Sequence, residues 1–494
     1  MVANRRTARY KMFMYVPGDL TIERDGPPGS HRSKSFIGLL GLAASLAWAP
    51  QSNSQPAALD SSFAPALNAG AQVYALAVQT NGQILVGGIF NSVGGAPATN
   101  IARLNPEGVL DSTFNPGTAA NLGYVSAIAV QNDGRVMIGG SFGSSAGLTP
   151  ANLARLNTNG TADSGFDSNL SIDNAVNAAL VQSDGKILFG GAFAIVDGYQ
   201  RRSVARLNPD GTLDTGFDAC VASSSGAGAT ALFLLSDGRI LMSGRFTFST
   251  GAYRDGLARL NPNGNLDADY APPPGMNLGS IAYALTCRSN GKALLGGNFR
   301  SFYGTAWGGL VQLTTNGIPD TGFYAGTGIN IGGTNYAIAL QGDDKFIIGG
   351  DFTQYNGQTK HRLARINTNG SVDPAFDPGS GPNDSVSAIA LQSDRRILVA
   401  GRFSSFNGVS RNGIVRLNGD HLASRLLAPS APGNGQFQLL FYGEHQAQYA
   451  LLASSNLVDW ISVTNFTATS GALPIIDPTA GPLPKRFYRA VSLP

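Results

Sequence analysis

Residues that build disulfide frameworks and metal centres are scarce in this sequence. The 494 residues include four histidines and two cysteines, Cys220 and Cys287. Two cysteines allow one bridge at most, and an exported protein would permit it, but the apolar strand position of Cys287 favours free thiols. So few histidines exclude a histidine-rich metal centre. We expect no metal site and no cofactor.

Charge is scarce as well. Charged residues make up 13% of the chain, and the formal net charge is +3. Residues 1–49 hold seven Lys or Arg and three Asp or Glu, a net +4, which leaves −1 for residues 50–494. A nearly neutral body lacks the basic surface that nucleic acids and anionic membranes attract. Nucleic acid is therefore excluded as a partner.

Signatures of catalysis are missing too. Hydrolase triads need a base held by a third group, and no Gly-x-Ser-x-Gly elbow stands between a predicted strand and helix. Turns such as Asn81-Gly82 and Asp184-Gly185 offer too few oxygens for the about six to eight ligands of calcium. We expect no catalytic residues. An enzyme that uses only carboxylates over a channel mouth, such as a carbohydrate-active lyase or hydrolase, is the alternative.

One apolar run, Phe36 to Ala49, lies in an N-terminal extension of residues 1–50. The basic segment His31-Arg32-Ser33-Lys34 precedes it, and it ends in Ala47-Trp48-Ala49. These are the parts of a secretory signal, and the run is too short to span a bilayer. We expect a secreted or cell-surface protein without a membrane span in the mature chain. A lipid-anchoring or buried helix is the alternative.

What the chain has in abundance is a repeat of 51 to 53 residues. A Gly-x-Phe ending, an Ala-Arg-Leu-Asn-like segment and a Leu-Asp-x-x-Phe-like segment each recur, and together they indicate seven units. The phenylalanines of the first signature are Phe90, Phe142, Phe193, Phe246, Phe299, Phe352 and Phe403.

Each unit divides into four short strands joined by tight turns. In the first unit these are Val73 to Gln79, Gln83 to Phe90, Thr99 to Asn105 and Val109 to Phe114, with a turn at Asn81-Gly82. Paired glycines in the second strand indicate a bulge or a close backbone approach. Seven antiparallel units of this kind close into a ring with short edges.

The sequence therefore predicts an all-β chain, a seven-bladed β-propeller with a small C-terminal β-sandwich-like domain. We place the propeller at residues 59–418, a linker at 419–433 and the small domain at 434–494. The array begins with a fourth strand at Leu59 to Phe63 and ends with a third strand at Arg416 to Asn418. We expect residues 59–63 to complete the last blade, with Asp60 opposite Arg416, because this pairs edges that would otherwise be open.

Whole units resemble a known repeat. Val386 to Phe403, followed by Gly413-Ile414-Val415-Arg416-Leu417-Asn418, is similar to the delta-60 repeat, a bacterial family of predicted propeller blades. Ser454 to Trp460, with Phe487-Tyr488-Arg489, resembles a C-terminal β-module of exported bacterial proteins. The first resemblance implies an exported repeat scaffold, and neither implies catalytic residues or a ligand.

The recurring Arg and Asp stand eight residues apart, which makes them opposite each other across a hairpin that turns midway. An opposite-charge cross-strand pair contributes roughly 0.2–1 kcal/mol, so we interpret them as structural. The pairs are Arg103 with Asp111, Arg155 with Asp163, Arg206 with Asp214, Arg259 with Asp267, Arg365 with Asp373, and Arg416 with Asp60; Gln312 replaces Arg in the fifth unit.

Aromatic and basic residues concentrate in the loops between second and third strands, at the end where one blade connects to the next. Such mixtures are typical of binding surfaces, so we expect an exported, non-catalytic binding or scaffolding protein whose partner is a protein or a glycan. The alternatives are aromatics that merely pack between loops, and a cell-envelope protein without a ligand. The candidate binding residues are Tyr199, Arg202, Tyr253, Arg254, Tyr303, Trp307 and Tyr355.

Overall fold

The structure is a computed structural model. It describes residues 57–117, 123–143, 151–166, 169–224, 228–270, 276, 280–323, 326–419, 425–427, 437–442, 448–468, 473–477 and 487–493. The N-terminal segment with its expected secretory signal lies outside these ranges. The described residues are strands, turns and loops, and none of them forms a helix long and apolar enough to span a membrane.

The chain divides into two compact units, and the larger one covers Gln55–Asp420. Its first repeat shows the pattern. Strand β1 (Gln72–Val78) pairs antiparallel with β2 (Ile84–Ile89), which pairs with β5 (Ile101–Leu104). A small hairpin of β3 (Ser92–Val93) and β4 (Ala96–Pro97) connects β2 to β5. Strand β1 is the edge strand nearest the centre of the ring of repeats, and β2 and β5 lie successively farther out.

The described residues contain a sheet for each of the seven repeats, and all except the fourth have the strand order of the first. The second has β6 (Gly123–Val130), β7 (Val136–Phe142) and β8 (Leu153–Leu156). The third has β9 (Val176–Val181), β10 (Ile187–Gly191), the hairpin β11 (Ile195–Val196) and β12 (Tyr199–Gln200), and β13 (Val204–Leu207). The fifth has β18 (Ala282–Cys287), β19 (Ala293–Gly297), β20 (Ser301–Phe302), β21 (Thr305–Ala306) and β22 (Leu310–Leu313). The sixth has β23 (Asn335–Leu340), β24 (Phe346–Gly350), β25 (Gln354–Tyr355), β26 (Gln358–Thr359) and β27 (Leu363–Ile366), and the seventh β28 (Val386–Leu391), β29 (Ile397–Gly401), β30 (Ser405–Phe406), β31 (Val409–Ser410) and β32 (Ile414–Leu417).

The fourth repeat is built differently. After β14 (Val221–Ser224) and β15 (Ala231–Leu234), it has a long hairpin of β16 (Ile240–Phe248) and β17 (Tyr253–Leu260) in place of the small hairpin. The far half of β16 pairs with β14, the strand that enters the repeat.

The first strands of the repeats form a closed ring around a channel. Each packs beside the first strand of the next repeat, and β28 of the seventh packs beside β1. Buried side chains fill the space between neighbouring sheets, and one apolar cluster joins Val86 of the first repeat to Leu398 and Ile414 of the seventh. The β-propeller predicted from the sequence is therefore the observed fold.

Residues 59–63 complete the seventh sheet, as predicted. Leu59 bridges to Leu417, and the Asp60 amide donates to the Arg416 carbonyl at 2.9 Å. The Arg416 guanidinium lies 2.8 Å from the Asp60 carboxylate and 4.6 Å from the centre of the Phe63 ring.

The predicted fourth strand is shorter than expected. In the first repeat it is a single bridge between Leu104 and Leu110, and equivalent single bridges occur in the next five repeats. The cause is Asp111, whose carboxylate accepts the Thr113 amide at 3.0 Å while the Phe114 amide donates to the Asp111 carbonyl. This turn, capped by the aspartate side chain, ends the strand.

The C-terminal unit includes His421–Pro494 and has two three-stranded sheets. One contains β33 (Arg425–Leu427), β34 (Phe437–Tyr442) and β37 (Leu473–Asp477), and the other β35 (Gln448–Ser454), β36 (Ile461–Thr467) and β38 (Phe487–Ser492). Phe441, Tyr449 and Leu451 pack in its core. Tyr488 donates a hydrogen bond of 2.9 Å to the buried Asp477.

Candidate binding site at the channel mouth

A β-bulge recurs near the start of the first strand in six repeats. In the first repeat the pairing with β2 shifts between Val73 and Ala75, so Tyr74 is left without a pairing partner. A bulge re-aims the extra side chain, and here it points into the channel. The residues at this bulge position are Tyr74, Ser126, Asn177, Tyr283, Tyr336 and Ser387, with Thr230 at the corresponding point of the fourth repeat.

Glycine opposite the bulge is a steric requirement. A Cβ on Gly88 would lie 2.0 Å from the Gln72 carbonyl oxygen, and one on Gly401 would lie 2.0 Å from that of Ser385. The second glycine of the pair in the second strand therefore permits the bulge, in agreement with the close approach expected from the sequence.

The bulge residues line a cavity of about 580 Å³ in the channel. That volume falls in the range of roughly 300–1,000 Å³ found for small-molecule sites. Besides the bulge residues, Tyr124, Ser385 and Arg402 line it. Each of these residues lies near the start of a first strand or just after a second strand, so the cavity opens towards the blade-to-blade connections.

These connections and the small hairpins share one end of the propeller, which we call the loop face. The Asn68 carboxamide oxygen, in a connection, accepts the amides of Asn91 and Ser92 at 2.8 and 3.3 Å. Asn330 and Asn383 hold their hairpins in the same way. The opposite end, with tight turns such as residues 79–83 and 105–109, is the turn face.

One side of the cavity consists of short polar side chains that are already engaged. Ser126 donates to the Val176 carbonyl at 2.9 Å, and Asn177 donates to the Ala229 carbonyl at 3.3 Å. Thr230 donates to the Ala282 carbonyl in the same way. Each of these bonds ties one repeat to the next, so this side stabilises the ring.

The other side consists of two aromatic pairs. Tyr283 and Tyr336 lie edge to face with ring centres 5.2 Å apart, and Tyr74 and Tyr124 do so at 5.8 Å. Tyr336 donates to Asp351 at 3.2 Å. Burial raises the pKa of Tyr74, Tyr283 and Tyr336, so all three are neutral hydrogen-bond donors at neutral pH.

The seventh repeat lies between these two pairs. It contributes Ser385, Ser387 and Arg402 to the cavity wall. Arg402 is exposed, and no carboxylate among the described residues lies within ion-pair distance of it. The cavity thus combines aromatic faces, hydroxyl groups and one guanidinium.

The predicted Arg–Asp pairs are all present, on the turn face and away from the cavity. Their Nε–Oδ2 distances are 2.8 Å for Arg103–Asp111, 2.6 Å for Arg155–Asp163, 2.8 Å for Arg206–Asp214, 2.7 Å for Arg259–Asp267, 2.9 Å for Arg365–Asp373 and 2.8 Å for Arg416–Asp60.

These pairs do more than the sequence indicated, because the arginine also reaches the next repeat. Arg103 donates to the Thr158 carbonyl at 2.6 Å, and Arg416 donates across the ring closure to the Pro106 carbonyl. In the fifth repeat Gln312 donates to Asp320 at 2.6 Å, and Arg288 instead reaches the next repeat, at the Thr368 carbonyl.

The predicted loop residues divide into two groups. Tyr199, Tyr253 and Tyr303 are exposed on the loop face, and Arg202 and Arg254 are partly buried there. None of these five lines the cavity.

Trp307 and Tyr355 correct the prediction. Trp307 is 8% exposed and packs in the apolar core, while Tyr355 is 0% exposed and donates its hydroxyl to the Gly370 carbonyl at 3.0 Å. Tyr355 occupies the hairpin position that Phe302 and Phe406 fill in neighbouring repeats, all of them buried. Aromatic content alone did not separate core residues from surface residues.

The sequence prediction did not include the channel tyrosines, although a comparison of the seven first strands shows a polar or aromatic residue at one recurring position. At this point of the first strands the residue is Tyr, Ser, Asn or Thr. The residue after it is always Ala, and the residue before it is Val or Ala except for Asn335 in the sixth repeat.

The described residues contain no group of three His, Cys, Asp or Glu side chains placed to hold a metal ion. The two cysteines are free thiols, Cys220 exposed and Cys287 buried.

Comparison with solved structures finds similar architectures at low identity. The extracellular domain of a protein described as a hybrid two-component system from B. thetaiotaomicron aligns with a TM-score of 0.47 and 12% identity, over 78% of this chain and 45% of that one. This chain thus spans less than half of that structure. A gluconolactonase from Xanthomonas campestris aligns with a TM-score of 0.35 and 10% identity, over 73% and 98% of the two chains. YCF48 from Cyanidioschyzon merolae gives 0.39 and 11%, over 72% and 97%.

No curated protein matches the sequence. Six stretches match the family model described as a domain of unknown function (DUF5122) beta-propeller, namely residues 79–114, 131–166, 182–217, 235–270, 341–376 and 392–420. Each stretch begins directly after the first strand of a repeat, in every repeat except the fifth. The first five stretches extend beyond the Asp of the turn face, and the sixth ends just after the third strand of the seventh repeat. The chain is a β-propeller repeat protein of the kind that this family model describes.

Proposed function

We propose that this chain is an exported, non-catalytic binding protein that holds a protein or glycan ligand at its loop face. The observation that carries the proposal is the cavity of about 580 Å³ at the channel mouth. Its walls combine the tyrosine pairs with hydroxyl groups and Arg402. Concave sites with apolar walls and a few converging polar groups are the usual form of ligand sites.

The chemistry of the lining favours binding over glycoside hydrolysis. Hydrolysis of a glycosidic bond usually needs two carboxylates, one on each side of the bond. The residues that line the cavity are tyrosine, serine, threonine, asparagine and arginine. Asp351 lies beside the cavity, and its carboxylate accepts the Tyr336 hydroxyl and the Thr334 amide. That carboxylate serves the fold.

The test is a glycan array and a protein pull-down with the purified chain, followed by affinity measurement on any ligand found. Tyr283→Ala at the cavity should weaken binding by about tenfold or more, as expected for a central aromatic contact. Asp184→Ala and Asn81→Ala, on the turn face, are the matched controls and should leave the affinity unchanged. Equal losses at both ends, or turnover of the ligand by the wild-type chain, would overturn the proposal.

Export is tested separately. The segment that motivates it, residues 31–49, lies outside the described residues and rests on its sequence pattern. Replacing Leu39, Leu40 and Leu42 with Asp should retain the protein inside the cell, because a charged run cannot act as the apolar part of a signal. Cell fractionation measures this, and Asp at three positions of residues 1–30 is the control. Export of the triple variant at the wild-type level would contradict the proposal.

A further inference from the structure

Arg402 is the arginine among the residues that line the cavity. Its amide donates to the Ser385 carbonyl at 3.0 Å, as the amides of Asn298 and Asp351 donate to the first strands of their own repeats. The equivalent positions thus share one backbone geometry. Their side chains differ: the equivalent residues in the first three repeats are Ile89, Ser141 and Ala192. The fourth repeat has Arg245 at this point, but there the residue belongs to the long hairpin and pairs with Asp255 of the neighbouring strand.

In the fifth and sixth repeats the polar side chain at this position has a structural role. Asn298 accepts the Ile281 amide at 2.6 Å, and Asp351 accepts the Thr334 amide. A guanidinium carries only donors and cannot do this. In the seventh repeat, Asp384 accepts the equivalent amide, that of Ser385, at 2.6 Å. The capping role is therefore filled without Arg402.

The third repeat supports this interpretation. There Asn174 accepts the Ala175 amide at 2.8 Å, and the position equivalent to Arg402 is Ala192. A repeat whose connection supplies the cap therefore folds with alanine at this position. Arg402 is exposed at the channel mouth and has no carboxylate partner among the described residues. Alanine at this position would therefore serve the fold equally well.

The surroundings of Arg402 define what it can bind. Tyr336 lies on the side of the sixth repeat and Tyr74 on the side of the first, while the hydroxyls of Ser385 and Ser387 lie between them. Tyrosine faces pack against the C–H faces of a sugar ring, and hydroxyl groups exchange hydrogen bonds with it. Guanidinium groups pair with carboxylates through two parallel hydrogen bonds.

We propose that the seventh-repeat sector of the channel mouth binds an acidic oligosaccharide, with the carboxylate of a uronic acid on Arg402 and the sugar rings between the two tyrosine pairs. This rests on the proposed binding function of the same site. A concave cavity lined by aromatic rings fits a sugar better than it fits the acidic surface of a folded protein, which would need a flat, wide contact.

The experiment is calorimetric titration of the purified chain with matched tetrasaccharides. The acidic set is made of mannuronate, galacturonate and glucuronate, and the neutral set of mannose, galactose and glucose in the same linkages, so that each pair differs in the carboxylates alone. At least one acidic tetrasaccharide should bind at least about tenfold more tightly than its neutral counterpart, the loss expected when a charged hydrogen bond is missing.

Variants then assign the effect to Arg402. Arg402→Gln should lower the affinity for the acidic member by about tenfold and leave the neutral one unchanged. Arg402→Lys, which keeps the charge, should lie between, and it serves as the second variant if the glutamine form is unstable. Arg395→Gln makes the same change in charge on the turn face of the same repeat and should have no effect.

The outcomes separate the two proposals. Equal affinity for the acidic and neutral members, or an Arg402→Gln variant that still discriminates between them, overturns the carboxylate site and leaves the loop-face binding function standing. If no tetrasaccharide binds the wild-type chain, the acidic-sugar site is wrong. A protein ligand whose affinity falls in Tyr283→Ala would then preserve the binding function alone.

Discussion

The two faces of the propeller differ in how much equivalent positions vary. On the turn face, every repeat places Asp at the same point, and six of the seven place Arg opposite it. At the mouth of the channel, on the loop face, the bulge position changes from Tyr74 to Ser126 to Asn177 around the ring. Both sets of residues stand at fixed points of one repeated backbone, so the backbone does not cause the difference.

The side-chain contacts at these positions explain the difference in variation between the two faces. Each turn-face arginine pairs with its aspartate, and most also donate to the next repeat, so six repeats keep the same side chain to hold the ring together. In the fifth repeat Gln312 and Arg288 divide these two contacts between them. At the bulge position the ring requires only a glycine opposite and a side chain that fits the channel. A short polar residue such as Asn177 can bond the next repeat, and a tyrosine can project into the cavity. Uniform positions therefore maintain the fold, and varied ones are open to selection by a ligand.

The largest expected effect comes from breaking the ring at its closure. Deleting residues 59–63 removes Phe63 from the core and leaves Arg416 buried without its carboxylate. Together these losses should cost at least about 5 kcal/mol of unfolding free energy. Chemical denaturation followed by circular dichroism measures this.

Removal of residues 430–494 is the matched control for that deletion, since it takes away far more chain but none of the seven repeat sheets. We expect the propeller to keep its melting temperature in this truncated form to within a few degrees. An equal loss in the two truncations would show that the closure does not hold the ring.

Acid should weaken the turn face next. Burial alone would raise the pKa of the seven aspartates, but hydrogen bonds from side chains and amides, together with nearby cationic or amide groups, outweigh it and hold each pKa below 3.8. A lowered carboxyl pKa gives stability that is complete above about pH 5 and is lost progressively as the pH falls from there towards the lowered pKa. Urea midpoints should agree at pH 7 and pH 5, be lower at pH 4 and fall steeply by pH 3.

A single substitution sharpens this test. Asp373→Asn should lower the midpoint at pH 7 and reduce the drop between pH 4 and pH 3, because one of the seven carboxylates no longer titrates. Tyr74→Phe at the channel mouth should leave the shape of the curve unchanged. A drop of the same size in Asp373→Asn would mean that other groups cause the acid sensitivity.

The bulge can be broken by one methyl group. Gly401→Ala would place a Cβ 2.0 Å from the Ser385 oxygen, so the backbone must shift, at a cost of about 1–3 kcal/mol. Gly342→Ala is the control, because that exposed turn glycine has no atom within 4 Å of the added Cβ. There the smaller entropy of the unfolded chain should raise stability by about 0.4–1 kcal/mol. Thermal melts of the two variants should shift in opposite directions.

Sequence periodicity was sufficient for the fold. Three repeated signatures predicted the sheets, and the eight-residue spacing predicted the Arg–Asp pairs and the closure of Asp60 on Arg416. These features follow from local rules of strand pairing, and the residue spacings on which those rules depend can be read from the sequence. The predicted length of the fourth strand was wrong because Asp111 caps a turn with its own side chain. This turn replaces strand pairing from Asp111 onward.

The site was predicted less well, for a physical reason. Whether Tyr355 is buried or exposed depends on the hairpin register, in which Tyr355 pairs with Gln358 and faces the core. Strand alternation cannot show this in a two-residue strand. The channel tyrosines were missed because a bulge reverses the expected inward and outward alternation at one residue. That shift becomes visible only once the pairing of both strands is known.

Tyr303 provides the smallest and most discriminating test of the comparison between the faces. It stands at φ 55° in the two-residue turn of the β20–β21 hairpin, followed by Gly304 at φ 72°. Turns of this type favour Asn-Gly or Asp-Gly. The equivalent turns in three other repeats are Asp197-Gly198, Asn356-Gly357 and Asn407-Gly408.

A tyrosine in this conformation carries strain that Asn would relieve, and its side chain is 53% exposed on the loop face. Tyr303→Asn should therefore raise the unfolding free energy by about 1 kcal/mol. If the loop face is open to selection by a ligand, the same change should weaken binding of that ligand. Asn356→Tyr, the reverse exchange in the next repeat, should destabilise by more than this without improving binding, because the Asn356 side chain also accepts the Gly328 amide at 2.8 Å. A Tyr303→Asn variant that is more stable and binds as well as the wild type would show that this tyrosine is not kept for recognition.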